Sequence, residues 1–191
     1  VDPRAIVAGG DGRMWFTERR AGRIGAVTMA GAVTEYPLPA GADPTAIAAA
    51  PDGSLWFTEP GAGLIGHLSA AGVLLATVPL PGGAGGGARA ILAGPDGGVW
   101  VALAAGDAVT EYAGGTWASV ALTAGTHPAG LALGADGATV WATGSGTGKL
   151  IRIQPSPTYF DAPTATAAPA AVTSGPDGNL WFTETAADNV V

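Results

Sequence analysis

The chain has 191 residues and a net charge of −7 at pH 7, from 15 acidic and 8 basic side chains. It contains no run of basic residues, which argues against nucleic acid and anionic membrane surfaces as partners. Cysteine is absent, so disulfides and thiolate metal sites are excluded.

The first predicted elements are short apolar segments separated by turns. In chain order they are AIVAG, RMWFTE, RIGAVT and VTEYPLP, joined by GGDG, RRAG and MAGA. The segments are rich in Val, Ile, Trp, Phe and Thr and are bounded by Gly, Pro or Asp, which is typical of β-strands in tight hairpins. No helical period of useful length occurs. We therefore predict four consecutive strands and an all-β fold.

The rest of the chain repeats this unit. An Asp-Gly pair recurs at intervals of 41, 44, 40 and 41 residues, and a Trp follows each pair. The longer interval contains a glycine-rich segment at residues 82–88, which we interpret as a loop. We place the repeats at roughly residues 1–41, 42–85, 86–125, 126–166 and 167–191. Their landmarks are Asp11 and Trp15, Asp52 and Trp56, Asp96 and Trp100, Asp136 and Trp141, and Asp177 and Trp181.

Repeated units of four strands are typical of a β-propeller, in which each unit is one blade. We predict a single propeller domain over residues 1–191 with about five repeats. The last repeat stops within its third strand, so the chain is either a segment of a larger ring or a five-bladed ring with one short blade. We expect the recurring Trp to pack between blades and each turn Asp to bond its own backbone.

The repeats have the form P-x-[AG]-I-x-x-G-P-D-G-x-L-W-F-T-E, followed by I-G-x-[IV] and T-E-Y-P-L-P. They resemble the virginiamycin B lyase (streptogramin lyase) family of β-propellers, relatives of NHL-repeat propellers. GPDGNLWFTE at 175–184 and RIGAVTMAGAVTEYPLP at 23–39 match most closely. The resemblance implies a seven-bladed ring that binds Mg²⁺ and opens a cyclic depsipeptide at its ester by elimination. It also implies a histidine base directly after the repeat's proline, and carboxylates, including the glutamate of W-F-T-E, around the metal.

The position implied for the histidine base holds other residues in every repeat. They are Arg4, Thr45, Arg89, Ala129 and Ala170. Arginine stays charged at any useful pH and cannot accept a proton. We therefore expect a ligand-binding or partner-binding propeller that lacks lyase activity in this chain. The alternative is a Mg²⁺-dependent carbon-oxygen lyase whose catalytic blades lie outside these residues. A lactonase-type hydrolase would need a set of Asn or Asp ligands that the sequence does not reveal.

Three glutamates end the W-F-T-E motif: Glu18, Glu59 and Glu184. In a hairpin, the start of the first strand lies beside the end of the second, so these carboxylates should ring one mouth of the channel. Converging carboxylates attract a hard cation, which predicts a Mg²⁺ or Ca²⁺ site. Alternatively, each glutamate ends its strand in solvent or pairs with a neighbour, as Glu18 would with Arg4.

Four other side chains are candidates at this mouth. His127 precedes Pro128, and we consider it as a base or ligand, with an ordinary loop histidine as the alternative. Arg4, Arg89 and Thr45 are candidate ligand-binding residues, the arginines for an anionic group or as partners of the glutamates. His67 falls inside a third strand, where we expect a structural role.

The predicted partner is a small molecule or peptide at the channel mouth, with magnesium as the one cofactor under consideration. No apolar stretch approaches 18 residues without Gly, Pro or charge. We therefore expect a soluble protein, either cytoplasmic or secreted after removal of an upstream signal.

Overall fold

The computed structural model describes residues 2–164 and 167–191, except for the side chain of residue 189. Its strands form five consecutive sheets, which we number as blades 1 to 5. The described residues include no helix long and apolar enough to cross a membrane.

Blade 1 consists of β1 (Pro3–Ala8), β2 (Met14–Glu18), β3 (Arg23–Val27) and β4 (Val33–Pro37). Blade 2 consists of β5 (Ile47–Ala49), β6 (Leu55–Glu59), β7 (Leu64–Leu68) and β8 (Leu74–Pro79). Blade 3 consists of β9 (Ala88–Ala93), β10 (Val99–Leu103), β11 (Ala108–Ala113) and β12 (Thr116–Ala121). Blade 4 consists of β13 (Pro128–Leu133), β14 (Val140–Gly144), β15 (Lys149–Arg152) and β16 (Thr158–Asp161). Blade 5 consists of β17 (Pro169–Ser174), β18 (Leu180–Glu184) and β19 (Asn189–Val190).

Each blade is an antiparallel meander whose strands pair in sequence order. The first strands of successive blades lie side by side, so β1, β5, β9, β13 and β17 form the innermost layer. This arrangement confirms the predicted β-propeller, and the three-stranded fifth blade matches the incomplete last repeat. The glycine-rich segment before blade 3 includes one short 3₁₀ turn at Gly83–Gly86.

Aromatic side chains of the second strands pack the blades together. Trp15 and Trp56 are 1% and 8% exposed, and each lies in an apolar cluster with residues of the following blade. Phe57, next to Trp56 on β6, is fully buried in the cluster with the preceding blade. Successive side chains on a strand point to opposite faces, so Trp faces forward and Phe faces backward along the chain. The prediction that the Trp side chains pack between blades is confirmed for blades 1 to 3.

In blades 1 and 2 the Phe of the second strand faces a glycine on the third strand. Phe57 lies opposite Gly66 in the β6–β7 pair, and a Cβ added at Gly66 would fall 2.1 Å from the Phe57 ring. Blade 1 has the same pairing of Phe16 with Gly25. Where the second strand carries a smaller residue, the third strand carries a larger one: Val101 with Thr110, and Ala142 with Ile151.

The Asp of each first turn bonds its own backbone, as predicted. Asp52 accepts the Ser54 N–H at 2.9 Å and the Ser54 hydroxyl at 2.6 Å. Asp177 also accepts the indole N–H of Trp181 at 3.2 Å. The turn and the Trp are therefore linked by hydrogen bonds as well as by sequence spacing.

Candidate functional site

The W-F-T-E glutamates end the second strands at one edge of the sheets. Glu18 and Glu184 lie opposite Pro3 and Pro169, which begin the first strands of their blades. The predicted neighbourhood is confirmed, but its register is shifted by one residue. The residue after the proline, Arg4 in blade 1, does not face the glutamate because the strand register breaks between Pro3 and Ile6.

The threonine next to the end of the second strand accounts for this bulge in blades 1 and 4. Thr17 accepts the Ala5 N–H at 3.1 Å and donates its hydroxyl to the Thr45 carbonyl of blade 2 at 2.9 Å. Thr143 makes the equivalent donation to the Ala170 carbonyl of blade 5 at 2.6 Å. A backbone N–H that leaves the ladder is thus satisfied by a side chain that also joins two blades.

The three glutamates are buried. Glu18, Glu59 and Glu184 are 3%, 4% and 1% exposed, because each lies on a second strand flanked by the first and third. Within the part of the chain that the structure describes, Glu18 Oε2, Glu59 Oε1 and both oxygens of Glu184 have no hydrogen-bond partner. The interpretation of these side chains as solvent-exposed strand ends is therefore wrong.

Burial changes the acidity of two of these carboxyls. Burial, with a smaller contribution from the Asp43 carboxylate, raises the pKa of Glu59. Burial and the nearby Glu35 raise the pKa of Glu18. Among the described residues, one oxygen of each carboxyl lacks a hydrogen bond that would favour the charged form. A cation or a ligand N–H placed here would supply that compensation.

The predicted pair between Arg4 and Glu18 is also wrong. Arg4 bonds Asp2, with 3.2 Å between Nη2 and Oδ2, and its side chain is 46% exposed. The bulge directs the residue after Pro3 away from the end of β2. Arg19 lies 3.8 Å from Asp43, so the aspartates that precede the first strands attract the arginines of the rim.

The other two candidates at strand starts, Thr45 and Arg89, differ in their hydrogen bonding and exposure. The Thr45 hydroxyl donates to the Asp43 carbonyl at 3.0 Å, and the Thr45 carbonyl accepts from Thr17. Arg89 is exposed near the start of β9. Arg4 and Arg89 are thus presented to solvent, whereas Thr45 already takes part in the contact between blades.

His127 lies at the same edge, between blades 3 and 4. Its Nδ1 is 3.0 Å from the Ala104 carbonyl, and its backbone N–H donates to Asp107 at 2.7 Å. A carbonyl only accepts, so Nδ1 carries the proton in the neutral ring and Nε2 keeps its lone pair. The side chain is 53% exposed, and its φ of +47° fixes it in a left-handed conformation. His127 therefore has the tautomer of a base, on a loop rather than at a strand start.

Magnesium prefers oxygen ligands, and the unpartnered carboxylate oxygens have the right chemistry for it. However, among residues 2–164 and 167–191 no three His, Cys, Asp or Glu side chains come close enough together to hold one ion. The three glutamates occupy equivalent places in blades 1, 2 and 5 without forming one cluster. The described residues thus do not complete a magnesium site by themselves.

A cavity that the sequence analysis did not predict lies at this edge, between blades 4 and 5. It has a volume of about 490 Å³. It is lined by the turn Ser145–Gly148 and by residues at the end of blade 4 and just after it, including Asp161 and Thr164. Its walls come from two loops of ordinary turn composition, so no residue pattern marks it in advance.

Several solved structures are similar to this one. A catalytically inactive virginiamycin B lyase from Staphylococcus aureus, solved with quinupristin, has a TM-score of 0.90 at 30% identity, covering 98% of this chain and 65% of that one. A streptogramin B lyase gives a TM-score of 0.89 at 32% identity, covering 99% and 67%. A nidogen/laminin complex, at 17% identity and a TM-score of 0.77 over 98% of this chain and 74% of that one, shares the fold alone.

The chain spans about two thirds of the length of the two lyases. Comparison with curated protein sequences gives no significant match. The model of the virginiamycin B lyase family matches residues 1–191, the whole length of the sequence. The chain therefore belongs to the virginiamycin B lyase family.

Proposed function

We propose that this chain supplies the ligand-binding mouth of a streptogramin-lyase-like propeller and, by itself, binds without lyase chemistry. The observation that carries this proposal is the set of side chains at the strand starts. They are arginine, threonine or alanine in all five repeats, and none can take a proton from carbon. Elimination from an ester needs a neutral base with a pKa near the working pH.

The mouth has features suited to a ligand with both hydrogen-bond acceptors and N–H donors. Arg4 and Arg89 are exposed at strand starts, and the buried carboxyls of Glu59 and Glu184 have oxygens without a partner among the described residues. A cyclic depsipeptide offers backbone N–H donors and carbonyl acceptors. The lyase from Staphylococcus aureus that was solved with quinupristin makes this compound the first ligand to test.

The test is to titrate quinupristin into the chain by calorimetry and to examine the mixture by mass spectrometry. We expect saturable binding and no ring-opened product. Because Thr45 bonds its neighbours through backbone as well as side chain, Arg89→Gln is the cleaner variant, and it should weaken binding. Absence of binding, or turnover by this chain, would contradict the proposal.

The second candidate is a Mg²⁺-dependent lyase whose base lies outside these residues. The coverage of 65% and 67% of the two lyases favours it, since a longer chain would add blades. Magnesium supplies stabilisation of a developing enolate when it is bound. Glu18, Glu59 and Glu184 are our proposed contributors of oxygen ligands, and His127 is the one proposed base among the described residues.

Calorimetry with Mg²⁺ distinguishes the two candidates. The metal hypothesis predicts heat of binding that falls when the three glutamates are changed to Gln one at a time. The control is Asp136→Asn in the first turn of blade 4, between β13 and β14, at the edge opposite the glutamates. Equal heats for all variants would remove the metal from this mouth and leave ligand binding without it.

A further inference from the structure

A second cavity lies at the edge of blades 2 and 3 opposite the glutamate mouth. It has a volume of about 310 Å³, and its walls include Asp52, Trp56, His67, Pro95 and Asp96. Asp52 and Asp96 belong to the first turns of their blades, whereas Glu59 ends β6 at the other edge. We name this cavity the Trp56 pocket. It is separate from the candidate site described above.

The wall of the Trp56 pocket is aromatic. The rings of Trp56 and His67 stack with 4.0 Å between centroids and 5° between planes. Tyr112 meets Trp56 edge-on at 6.1 Å and contacts Trp117 at 5.0 Å. Burial lowers the pKa of His67, so near neutral pH this imidazole provides a flat polarisable surface and no charge.

The rim of the Trp56 pocket is anionic. Hydrogen bonds from the Ser54 hydroxyl and N–H lower the pKa of Asp52, which is therefore ionised near neutral pH. Asp96 lies on the other side of the pocket. Burial, with a smaller contribution from the Asp96 carboxylate, raises the pKa of Glu111. The residues that line the pocket include no Lys or Arg. An aromatic wall below two carboxylates favours a cation with a flat or apolar body.

Blade 1 shows which cation suits this arrangement. Its turn Asp11 and Trp15 correspond to Asp52 and Trp56, and there the chain supplies Arg13. The Arg13 Cζ lies 4.5 Å from the centroid of the Trp15 ring. Its Nε donates to Asp11 at 2.7 Å, and its other nitrogens donate to the Tyr36 hydroxyl at 2.9 Å and the Ala70 carbonyl at 2.8 Å.

Blade 2 repeats the Asp and the Trp but not the cation. The residue two positions after Asp52 is Ser54, which turns back on Asp52. The residue opposite the Trp on the third strand is Ala26 in blade 1 and His67 in blade 2. The turn carboxylate and the indole are thus present, the aromatic wall is larger, and the guanidinium is missing.

We propose that the Trp56 pocket binds a guanidinium group from a separate molecule, with its N–H groups directed to Asp52 and Asp96 and its plane against the Trp56 and His67 wall. The planar, delocalised guanidinium is weakly hydrated and both stacks and donates in the plane, which a compact ammonium does not do. A small guanidinium compound and an arginine side chain of a peptide share this chemistry.

The test is titration of ethylguanidinium into the full chain by calorimetry, with butylammonium and urea as the charge and shape controls. We expect saturable binding of ethylguanidinium, weaker binding of butylammonium and none of urea. Two-dimensional NMR should place the shifted amides at Gly97 and around Trp56. Binding without saturation, or shifts spread over the whole surface, would overturn the proposal.

Matched variants locate the effect. Asp96→Asn keeps an acceptor oxygen for the turn but removes the charge, and binding should weaken about tenfold, the size of one charge-assisted hydrogen bond. Asp136→Asn makes the same change in the first turn of blade 4 and should leave binding unaltered. Equal affinities for the wild-type chain and Asp96→Asn would contradict the proposal.

Ser54→Arg is the sharpest variant, because it restores in blade 2 the residue that fills this place in blade 1. It should abolish ethylguanidinium binding while circular dichroism shows an intact fold. Unchanged binding in a folded Ser54→Arg protein would overturn the proposal. A parallel titration with acetyl-arginine amide identifies the source: tighter binding than ethylguanidinium indicates an arginine side chain, and equal or weaker binding indicates a small compound.

Discussion

At the scale of the residue, the last two positions of W-F-T-E have different roles. Thr17 makes two hydrogen bonds and joins two blades, whereas Glu18 keeps a buried oxygen without a partner among the described residues. The turn and the Trp could be predicted from the sequence because their contacts are local. The burial of the glutamate could not, since it depends on the first and third strands that flank the end of β2, and on a bulge between Pro3 and Ile6 that the sequence does not show.

The raised pKa of Glu59 predicts a pH-dependent cost. When the pKa of a carboxyl is higher in the folded chain than in the unfolded chain, the folded chain loses stability as pH rises. The loss runs from the ordinary pKa of 4.5 through the folded pKa. Glu59→Gln should therefore raise the free energy of unfolding by about 1 kcal/mol at pH 7 and by less at pH 5. Urea denaturation of both proteins at the two pH values, in metal-free buffer, measures the difference. If Glu59→Gln changed the free energy of unfolding by the same amount at pH 5 and pH 7, the raised pKa of Glu59 would be contradicted.

Asp136 predicts the opposite dependence of stability on pH, because its pKa is lowered in the folded chain. Hydrogen bonds from the Thr139 hydroxyl and from the Thr139 and Ala138 N–H groups lower its pKa from 3.8 to about 2. Its contribution to stability is complete above pH 3.8 and is lost as pH falls toward 2. Asp136→Ala should therefore destabilise the chain at pH 6 and have a smaller effect near pH 2.5. Acid titration followed by tryptophan fluorescence tests this, and equal destabilisation at both pH values would count against it.

At the scale of the element, blades 1 to 4 match the volumes of two facing positions on the second and third strands. Phe57 faces Gly66, and in blade 4 the reciprocal pair is Ala142 with Ile151. The sequence shows the glycine as part of the I-G-x-[IV] motif but not the reason for it. The reason is visible only when strand register is known, because the two positions are separated by a turn of variable composition.

This matching predicts strong coupling between the two positions. Phe57→Ala should destabilise by about 3–5 kcal/mol through the cavity it leaves, and Gly66→Ile by about 1–3 kcal/mol or more through overpacking. The double variant recreates the pair of blade 4 and should lose clearly less stability than the sum of the two changes. Urea denaturation of the three variants completes the cycle. Simple additivity would show that the ring does not occupy the space above Gly66.

At the scale of the whole molecule, a forward-facing Trp packs against the following blade after blades 1, 2 and 3, and Phe57 packs backward against blade 1. The sequence was sufficient for this architecture, since a period of about 41 residues and a recurring Trp define both the blade and its packing. The sequence did not predict that the outer faces of blades 1 and 5 would expose large apolar side chains, because these faces have the composition of a buried surface. Ile6 is 62% exposed on blade 1, and Trp181 and Val190 are 45% and 68% exposed on blade 5.

The difference between equivalent tryptophans is the final test of this architecture. Trp15 and Trp181 occupy the same place in their repeats, and each donates its indole N–H to the turn aspartate. Trp15 is 1% exposed under blade 2, whereas Trp181 has no following blade over it in this structure. Trp15→Ala should therefore cost about 3–5 kcal/mol, and Trp181→Ala about 1 kcal/mol. Because the lost hydrogen bond is the same, denaturation of the two variants measures the covering blade together with the contacts of Trp15 to Tyr36 and Arg13. Equal costs would mean that the outer face of blade 5 is covered in solution, and a concentration-dependent midpoint would then identify a second copy of the chain as the cover.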